Sequence, residues 1–381
     1  MITSTTSGVW ELDDVYAKRN AERWPPGNNG LFTWGRNGFG VLGQNNKTYY
    51  SSPVQVPGTQ WSKLSTGIFW SLGLKTDNTL WVWGDNNRAR LGLNTVNSTT
   101  SQSSPVQLPG TQWSDVRCAY ATSLALKSDG TLWSWGYNQV TGQLGQNNET
   151  QYSSPVQIPG TQWNAISAAY YTSYATKTDG TLWAWGYNPN GEIGDNSVIP
   201  RSSPTQVPGT QWNKFDGGGN GRLYAIKTDG TLWVWGYNGG PFPLNGTTPR
   251  SSPTQVPGTQ WSTISATYYN GYATKTAGTL WAWGGNSYGA LGQNDNIHRS
   301  SPIQIPGTQW ANDTLHGPSA YHTLMRKTDG TLWGWGISNL GSLGINESGA
   351  APRSSPIQIS GTGWINPAVG YYSSAAIKPT Y

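Results

Sequence analysis

Short segments of alternating apolar and polar residues run through most of the chain, and a turn sequence follows each of them. In SLALKSDGTLWSWG, residues 123–136, the alternation continues on both sides of Asp129-Gly130. An Asp-Gly pair between two such segments favours a tight two-residue hairpin. A glycine-rich stretch, a polar loop and a short strand at residues 156–158 follow. The pattern predicts small antiparallel sheets, because none of these segments has a helical period.

The whole unit recurs seven times. Trp-Gly pairs are spaced by 48 to 52 residues, and two further markers, Ser-Ser-Pro and usually Pro-Gly-Thr-Gln-Trp, also occur seven times each. A period near fifty residues is typical of propellers or linear repeat arrays. The tryptophans of the Trp-Gly pairs are Trp34, Trp83, Trp135, Trp185, Trp235, Trp283 and Trp335.

The two ends of the repeat region complement each other. The last unit ends with residues 375–378, the strand before the hairpin turn, and lacks the strand that follows in other units. Residues 30–35, GLFTWG, supply that strand at the start of the chain. Pairing of these segments would close a ring, whereas a linear array would need capped ends. We therefore predict an all-β fold, a seven-bladed β-propeller over residues 30–381 closed by pairing of the N- and C-terminal strands.

Residues 1–29 form an extension outside the predicted ring. An early acidic turn and spaced apolar residues predict a short helix, which Trp24-Pro25-Pro26 would end. A helix of about three turns is too short to be stable alone, so we expect it to pack on the propeller or on a partner. The residues that we predict to make this attachment are Trp10, Leu12, Val15, Tyr16 and Trp24.

The repeat resembles that of a known family. KSDGTLWSWGYN, residues 127–138, followed by GQLG, residues 142–145, is similar to the repeat of the regulator of chromosome condensation family. The resemblance covers about residues 30–381 and implies a seven-bladed propeller with one blade shared between the termini. It leaves function open, since the family includes exchange factors for small GTPases, kinase modules and many bacterial and viral proteins. The chain departs from the family's common His-Ser pair, because Thr122-Ser123 stands there.

The extension carries a second resemblance. SGVWELDDVY, residues 7–16, with RWP at residues 23–25, is similar to a segment of virion proteins of marine and cyanobacterial bacteriophages. It implies a non-enzymatic bacteriophage structural protein, a tail fibre, tail tip adhesin or capsid decoration, attached to other virion proteins through residues 1–29. The protein would then be located in the virion, after assembly in the host cytoplasm. The alternative is a protein-interaction or regulatory propeller, such as a GTPase exchange-factor-like module.

Composition and charge narrow the classes of partner. Only 11% of residues are charged, and the formal net charge of +5 comes from scattered Lys and Arg rather than from a cluster. We therefore expect no nucleic-acid partner. The chain start lacks a signal-peptide pattern, and no apolar run approaches the roughly 18 residues that span a bilayer, so we expect no membrane insertion.

Candidate catalytic groups are few. His298, His316 and His322 lack the spacing of metal ligands, and Cys118 has no histidine nearby in sequence. Most acidic residues stand in hairpin turns, where backbone geometry explains an Asp. We therefore predict no catalytic activity, no cofactor and no metal site. A glycan-cleaving enzyme, which would need paired carboxylates at one rim, is a third hypothesis.

Positions that differ between blades are the better candidates for binding. Twenty of the 23 tryptophans occupy repeat positions and are expected to fill the space between blades. One variable set precedes the hairpin, and if its strand lies nearest the axis these side chains form a tyrosine-rich ring around one end of the channel. They would bind a ligand there or merely plug the channel. The channel-rim candidates are Phe69, Trp70, Tyr120, Tyr170, Tyr171, Arg222, Tyr268, Tyr269, Tyr321, His322, Tyr371 and Tyr372.

A second variable set lies in the polar loops before Ser-Ser-Pro, which are either solvated loops or an interaction surface. Examples are residues 94–102, 146–152, 195–201 and 294–299. For either set the expected partners are a host surface glycan or receptor, a neighbouring virion protein, or a second copy of the chain.

Overall fold

A computed structural model describes residues 28–95, 100–139, 141–238, 243, 244, 246, 248–312, 321–347 and 349–380. These residues form seven small antiparallel sheets, the blades of a propeller. Two short 3-10 helices, Asn87–Ala89 and Asn339–Gly341, complete the secondary structure of the described chain. The helix predicted between residues 7 and 23 lies outside the described residues.

The strands are given in order from the innermost to the outermost. Blade 1 contains Trp61–Thr66, Trp70–Lys75, Leu80–Gly84 and Gln102–Leu108. Blade 2 contains Trp113–Cys118, Thr122–Lys127, Leu132–Gly136 and Tyr152–Ile158. Blade 3 contains Trp163–Ala168, Thr172–Lys177, Leu182–Gly186 and Arg201–Gln206. Blade 4 contains Trp212–Gly218, Arg222–Lys227, Leu232–Gly236 and Arg250–Val256.

The remaining blades follow the same order. Blade 5 contains Trp261–Ala266, Asn270–Lys275, Leu280–Gly284 and Arg299–Gln304. In blade 6 the described strands are His322–Arg326, Leu332–Ser338 and Ala350–Ile359, with a bridge between Trp310 and Lys327. Blade 7 contains Ile365–Val369, Ser373–Thr380, Asn28–Gly35 and Tyr50–Gln55.

The order of the strands defines two faces of the ring. Innermost strands of neighbouring blades contact each other around the axis, as Trp61–Thr66 contacts Trp113–Cys118. Because strands alternate in direction, the turns between first and second strands and the loops between third and fourth strands lie on one face, called here the upper face. The Asp-Gly turns and the Pro-Gly-Thr-Gln segments lie on the lower face. The strand before the hairpin, whose residues would form a ring if it lay nearest the axis, is instead the second strand of its blade.

Pairing of the terminal strands closes the ring, as predicted. Asn28–Gly35 pairs with Ser373–Thr380 along its whole length, from Asn28 opposite Thr380 to Gly35 opposite Ser373. The strand begins two residues before the predicted boundary at Gly30. Asn28–Gly35 is thus the third strand of a blade whose first two strands come from the other end of the chain.

Each Trp-Gly tryptophan links its blade to the preceding one. The indole of Trp185 is fully buried, and its Nε1 donates a hydrogen bond to the carbonyl of Gln143, 3.1 Å away in blade 2. Gly145, the glycine of the Leu-Gly motif, packs against the same indole, with a φ of +71°. Trp34 makes the same kind of bond to Ser342 across the closure of the ring. The Leu-Gly and Trp-Gly motifs are therefore two halves of one contact between blades.

The polar loops also join neighbouring blades. The amide of Asn147 in blade 2 donates to the carbonyl of Ser202 in blade 3, and that of Asn346 in blade 6 donates to Ser51 in blade 7. Asn147 and Asn346 have positive φ, which asparagine tolerates better than most residues. The asparagines of these loops and the Ser-Ser-Pro marker therefore have a structural role, which is to join neighbouring blades.

A lysine at or near the end of each second strand has a structural role. The Nζ of Lys177 lies 5.0 Å from the ring centroid of Trp163 and 4.4 Å from that of Trp183. Such placement over indole faces is a favourable cation–π contact. A lysine over the tryptophan that ends the Pro-Gly-Thr-Gln-Trp marker, or its Ser-Gly-Thr-Gly-Trp variant, occurs in all seven blades, at Lys75, Lys127, Lys177, Lys227, Lys275, Lys327 and Lys378. The scattered basic charge of the sequence is thus partly a feature of the scaffold.

Substituting Gly145 tests the contact between blades. A Cβ at this position would lie 2.8 Å from Nε1 of Trp185, so Gly145→Ala should lower the free energy of unfolding by about 2–3 kcal/mol through overpacking and backbone strain. Gly110→Ala is the matched control, because Gly110 also has positive φ but its added Cβ would lie 3.7 Å from the nearest atom. Urea unfolding of both variants measures the difference. Equal losses would contradict a specific role for the Leu-Gly glycine.

Candidate functional site

Aromatic side chains surround the axis at the upper face. The turns between first and second strands bring them to one cavity of about 380 Å³, called here the mouth. The mouth is lined by residues from six of the seven blades, namely Ile68, Phe69, Arg90, Tyr120, Tyr170, Tyr268, Tyr269, Tyr321 and Tyr371. The predicted tyrosine-rich ring is therefore present, although it is built from turns rather than from the strands themselves.

The rings of the mouth pack against each other in two arcs. In one arc Tyr120 lies 4.3 Å from Tyr170, between ring centroids, and Tyr170 lies 4.3 Å from Tyr171. In the other arc Tyr321 lies 5.6 Å from Tyr371, and their hydroxyl oxygens are 3.4 Å apart. That hydrogen bond, together with burial, raises the pKa of Tyr321 to about 12. The Tyr321 hydroxyl therefore stays protonated at neutral pH and offers a neutral donor and acceptor.

Blade 4 has no aromatic side chain in this turn. A Cβ on Gly219 would lie 2.4 Å from Cδ2 of Tyr268, so the absence of a side chain leaves room for the tyrosine of the next blade. Tyr268 consequently reaches the mouth beside blade 4. The glycine-rich sequence at residues 217–221 is thus explained by packing.

Three of the predicted rim residues are buried and do not reach the mouth surface. Trp70, Arg222 and His322 each begin the second strand of a blade, one residue after the turn. Nε1 of Trp70 donates to Ser123, Nε of Arg222 donates to the carbonyl of Tyr237, and Nε2 of His322 lies 2.8 Å from Oγ of Ser374. These side chains pack within and between blades, and the prediction that they line the rim was wrong.

Two arginines adjoin the mouth without lining it, and neither was predicted. Arg36 lies with its guanidinium carbon 5.5 Å from the ring centroid of Phe69, and Arg88 lies 4.3 Å from that of Tyr137. Both come from loops between third and fourth strands. The position after Trp-Gly could have signalled this region, because it also differs between blades, with Arg36, Asp85 and Tyr137 among its occupants.

Exposed large hydrophobic side chains are confined to the upper face in the described part of the chain. Each leaves between 37% and 62% of its surface in water. All of them stand in loops between third and fourth strands or, for Tyr269, in a turn between first and second strands. They are Phe39, Tyr49, Val198, Ile199, Tyr269, Tyr288, Ile297 and Leu340. The lower face, in contrast, repeats the same polar turn from blade to blade.

Polar groups link the innermost strands below the mouth. Asp216 is buried, and its carboxylate accepts hydrogen bonds of 2.8 Å from Oγ of Ser167 and from the amide of Ala266. It therefore bridges blades 3, 4 and 5. Burial raises the pKa of Asp216 to about 6, even though these bonds and Arg117 oppose the shift.

The residues that could act in catalysis are held in structural contacts. Burial raises the pKa of Cys118 to about 12, and its Sγ lies 3.3 Å from the carbonyl of Ser65. Asp129 in the hairpin accepts from the amide and hydroxyl of Thr131. Among the described residues no group of three or more His, Cys, Asp or Glu side chains could hold a metal ion. Nor does the described part of the chain contain a helix with the length and apolar character needed to cross a membrane.

Burial of His322 predicts sensitivity to acid. Burial lowers its pKa to about 3, so the unfolded chain takes up a proton near pH 6.5 before the folded chain does. The stability that depends on neutral His322 is complete above pH 6.5 and is lost as the pH falls from there toward 3. Relative to His322→Thr, the wild type should lose on the order of 2 kcal/mol between pH 7 and 4.5 in urea unfolding. Parallel profiles for wild type and His322→Thr would refute the assignment. His298→Thr removes the exposed histidine whose Nδ1 accepts a hydrogen bond from the amide of Asn286, and it shows how much of the pH dependence comes from another histidine.

The raised pKa of Asp216 predicts a pH dependence of stability opposite to that of His322. Its folded pKa of about 6 lies above the ordinary value of 3.8, so protonation favours the folded state. The resulting stability is complete below pH 3.8 and is lost as the pH rises through 6. Relative to Asp216→Asn, the wild type should gain on the order of 2 kcal/mol between pH 7 and 4.5, measured by urea unfolding at both values. A loss over this range would show that hydrogen bonds to the carboxylate outweigh its burial.

The candidate attachment residues Trp10, Leu12, Val15, Tyr16 and Trp24 lie outside the described residues. Their role stays a prediction. The comparisons with known proteins do not support the resemblance of residues 7–25 to virion proteins.

Similar proteins share the propeller. The chain is 29% identical over 111 residues to the human E3 ubiquitin-protein ligase HERC2, in a match that covers 28% of this chain and 2% of the ligase. The crystal structure of human WBSCR16 is similar with a TM-score of 0.80 and 20% identity, covering 93% of this chain and 99% of that one. Yeast RCC1 (Prp20), solved bound to Kap60, has a TM-score of 0.80 and 16% identity, covering 100% and 95%.

The likeness to these two solved structures shows the fold. The ligase match covers a small part of either chain, so no activity of the ligase is inferred for this chain. The family is shown by a model described as the RCC1-like domain, which matches residues 27–317 and hence most of the sequence. The chain belongs to the RCC1-like domain family.

Proposed function

We propose that this protein is a non-enzymatic interaction propeller that binds a protein partner at its upper face. The observation that carries the proposal is the difference between the two faces. On the described chain, the upper face holds the mouth, the stacked arginines and the exposed apolar side chains, all at positions that vary between blades. Aromatic and arginine side chains are enriched at protein interfaces.

The lower face has the opposite character. Its Asp-Gly-Thr turns fold onto themselves, as Trp183 donates to Oγ1 of Thr181, which in turn donates to Asp179. Because the same arrangement recurs around the ring, most of this face is explained by the needs of the scaffold. Variation that the scaffold does not require indicates function, and it lies on the upper face.

The family membership supports a protein partner. Yeast RCC1, whose fold this chain shares, was solved in complex with the protein Kap60. The virion role has no support among similar proteins, so the alternative predicted from the sequence, an interaction or regulatory propeller, is favoured. A location in the virion, and a glycan or a second copy as the ligand, stay predictions from the sequence.

Catalysis is a less well supported function than binding. A catalytic carboxylate or thiolate must be able to reach a substrate, whereas Asp216 is held by two blades and Cys118 lies buried beside Ser65. Burial and neighbouring rings raise the pKa of Tyr268 and Tyr269, so these hydroxyls stay protonated at neutral pH and are not available as general bases. The geometry therefore suits binding better than catalysis.

Site-specific photo-crosslinking tests the proposal. A benzophenone amino acid at Tyr269, on the upper face of blade 5, should yield discrete protein adducts in cells of the source organism, because Tyr269 is exposed beside the mouth. The matched control places the same group at Thr276, exposed on the lower face of the same blade. Adducts are resolved by electrophoresis and identified by mass spectrometry.

Two outcomes would contradict the proposal. Adducts of equal yield and identity from both positions would show contact without a preferred face. Adducts that glycosidases remove, with no protein component, would identify the partner as a glycan.

A further inference from the structure

The mouth has a positively charged side and a neutral side. Arg36 comes from blade 7 and Arg88 from blade 1, and each stacks on an aromatic ring of the next blade, Phe69 or Tyr137. The lining residues from blades 5 and 6 are the tyrosines Tyr268, Tyr269 and Tyr321, with no charged side chain among them. A ligand would therefore meet a different chemistry on each side.

The two stacked arginines have no carboxylate partner among the described residues. A guanidinium that lies flat on an aromatic ring still presents its N–H groups at the edge, where they can bind a carboxylate in a bidentate manner. Besides Tyr137, the Arg88 side chain interacts with Tyr171 and Tyr120. Because Tyr120 lines the mouth, Arg88 lies beside it.

Most of the described acidic residues near this face have a cationic partner. Asp85 pairs with Arg90 at 2.8 Å, inside the protein. At the outer rim three acidic side chains pair with arginines that begin or lie in the outermost strands, whereas Glu149 is exposed and Glu192 is buried, both without an arginine partner on the described chain. These pairs are Asp195 with Arg201, Asp295 with Arg299 and Glu347 with Arg353. Arg36 and Arg88 consequently leave the mouth with a positive potential that is not cancelled locally.

The shape of the cavity favours a peptide. Its volume of about 380 Å³ is enough for one or two large side chains. The neighbouring rings meet edge to face, with angles of 70° between Tyr321 and Tyr371 and 82° between Tyr371 and Tyr372. A sugar ring stacks best on a flat exposed aromatic face, whereas a crescent of tilted rings accommodates an apolar side chain with its backbone bonded to tyrosine hydroxyls.

We propose that the mouth binds an acidic peptide segment of the partner, with carboxylates at Arg36 and Arg88 and an apolar or aromatic side chain between Tyr269, Tyr321 and Tyr371. This inference rests on the proposed function and specifies the chemistry of the ligand. Complementary charge would set the orientation of the peptide and speed its association, and the buried apolar side chain would supply affinity.

Selection from a displayed library of random dodecapeptides tests the inference. Peptides enriched on the wild-type protein should combine Asp or Glu with an apolar or aromatic residue, and the affinity of a synthetic copy should fall as salt is raised. Arg36→Glu combined with Arg88→Glu should weaken that peptide by about tenfold or more. Arg250→Glu combined with Lys214→Glu, an equal change in net charge at exposed positions away from the mouth, should leave affinity within about twofold.

The possible failures are distinguishable. If selected peptides lack acidic residues but lose affinity in Tyr269→Ser or Tyr321→Ser, the mouth is a binding site and the acidic specificity is wrong. If dextran sulfate or a uronic-acid glycan binds through Arg36 and Arg88 while no peptide is enriched, the ligand class is wrong. If no ligand of either kind responds to the tyrosine substitutions, the proposed function itself fails. Circular dichroism and urea unfolding of each variant separate loss of binding from loss of fold.

Discussion

The fold depends on the contact by which one blade holds the next. A blade of four short strands cannot bury both of its faces, so it needs neighbours on either side. The Trp-Gly indole supplies this contact, because it fills the space between sheets. In five of the seven blades its N–H also donates to a carbonyl of the preceding blade, as Trp185 does to Gln143, whereas Nε1 of Trp235 and Trp283 has no hydrogen-bond partner. The same contact closes the ring, where Nε1 of Trp34 donates a hydrogen bond to the carbonyl of Ser342. Ring closure thus requires no interaction that the other blades lack.

This repetition explains the difference between the two faces. The motifs that join blades also fix the lower turns and the outermost strands, so substitutions there disturb a neighbour. Asn147 and Ser202 illustrate how far this constraint extends into the polar loops. The turns between first and second strands are less constrained, since they need only connect one strand to the next. Phe69, Tyr120 and Asn220 can therefore occupy equivalent turns without loss of the scaffold.

Periodicity made the architecture predictable from the sequence. Seven copies of each marker and the missing strand at one end determine the number of blades and the pairing of the termini. The positions of single side chains were harder to predict. The aromatic ring was anticipated, but Trp70, Arg222 and His322 follow the turn by one residue and begin a strand, which directs them into the sheet stack. The stacked arginines were missed because their loops look like solvated connections, and Arg88 adopts a left-handed backbone, with φ of 65°, that no propensity favours.

The shared blade also determines where the two ends of the described chain leave the ring. Asn28 begins a third strand and Thr380 ends a second strand, so both lie at the lower edge of blade 7, paired with each other. A body joined before Asn28 would be tethered on the side away from the tyrosines. The aromatic mouth would then face away from that body and remain accessible to a partner.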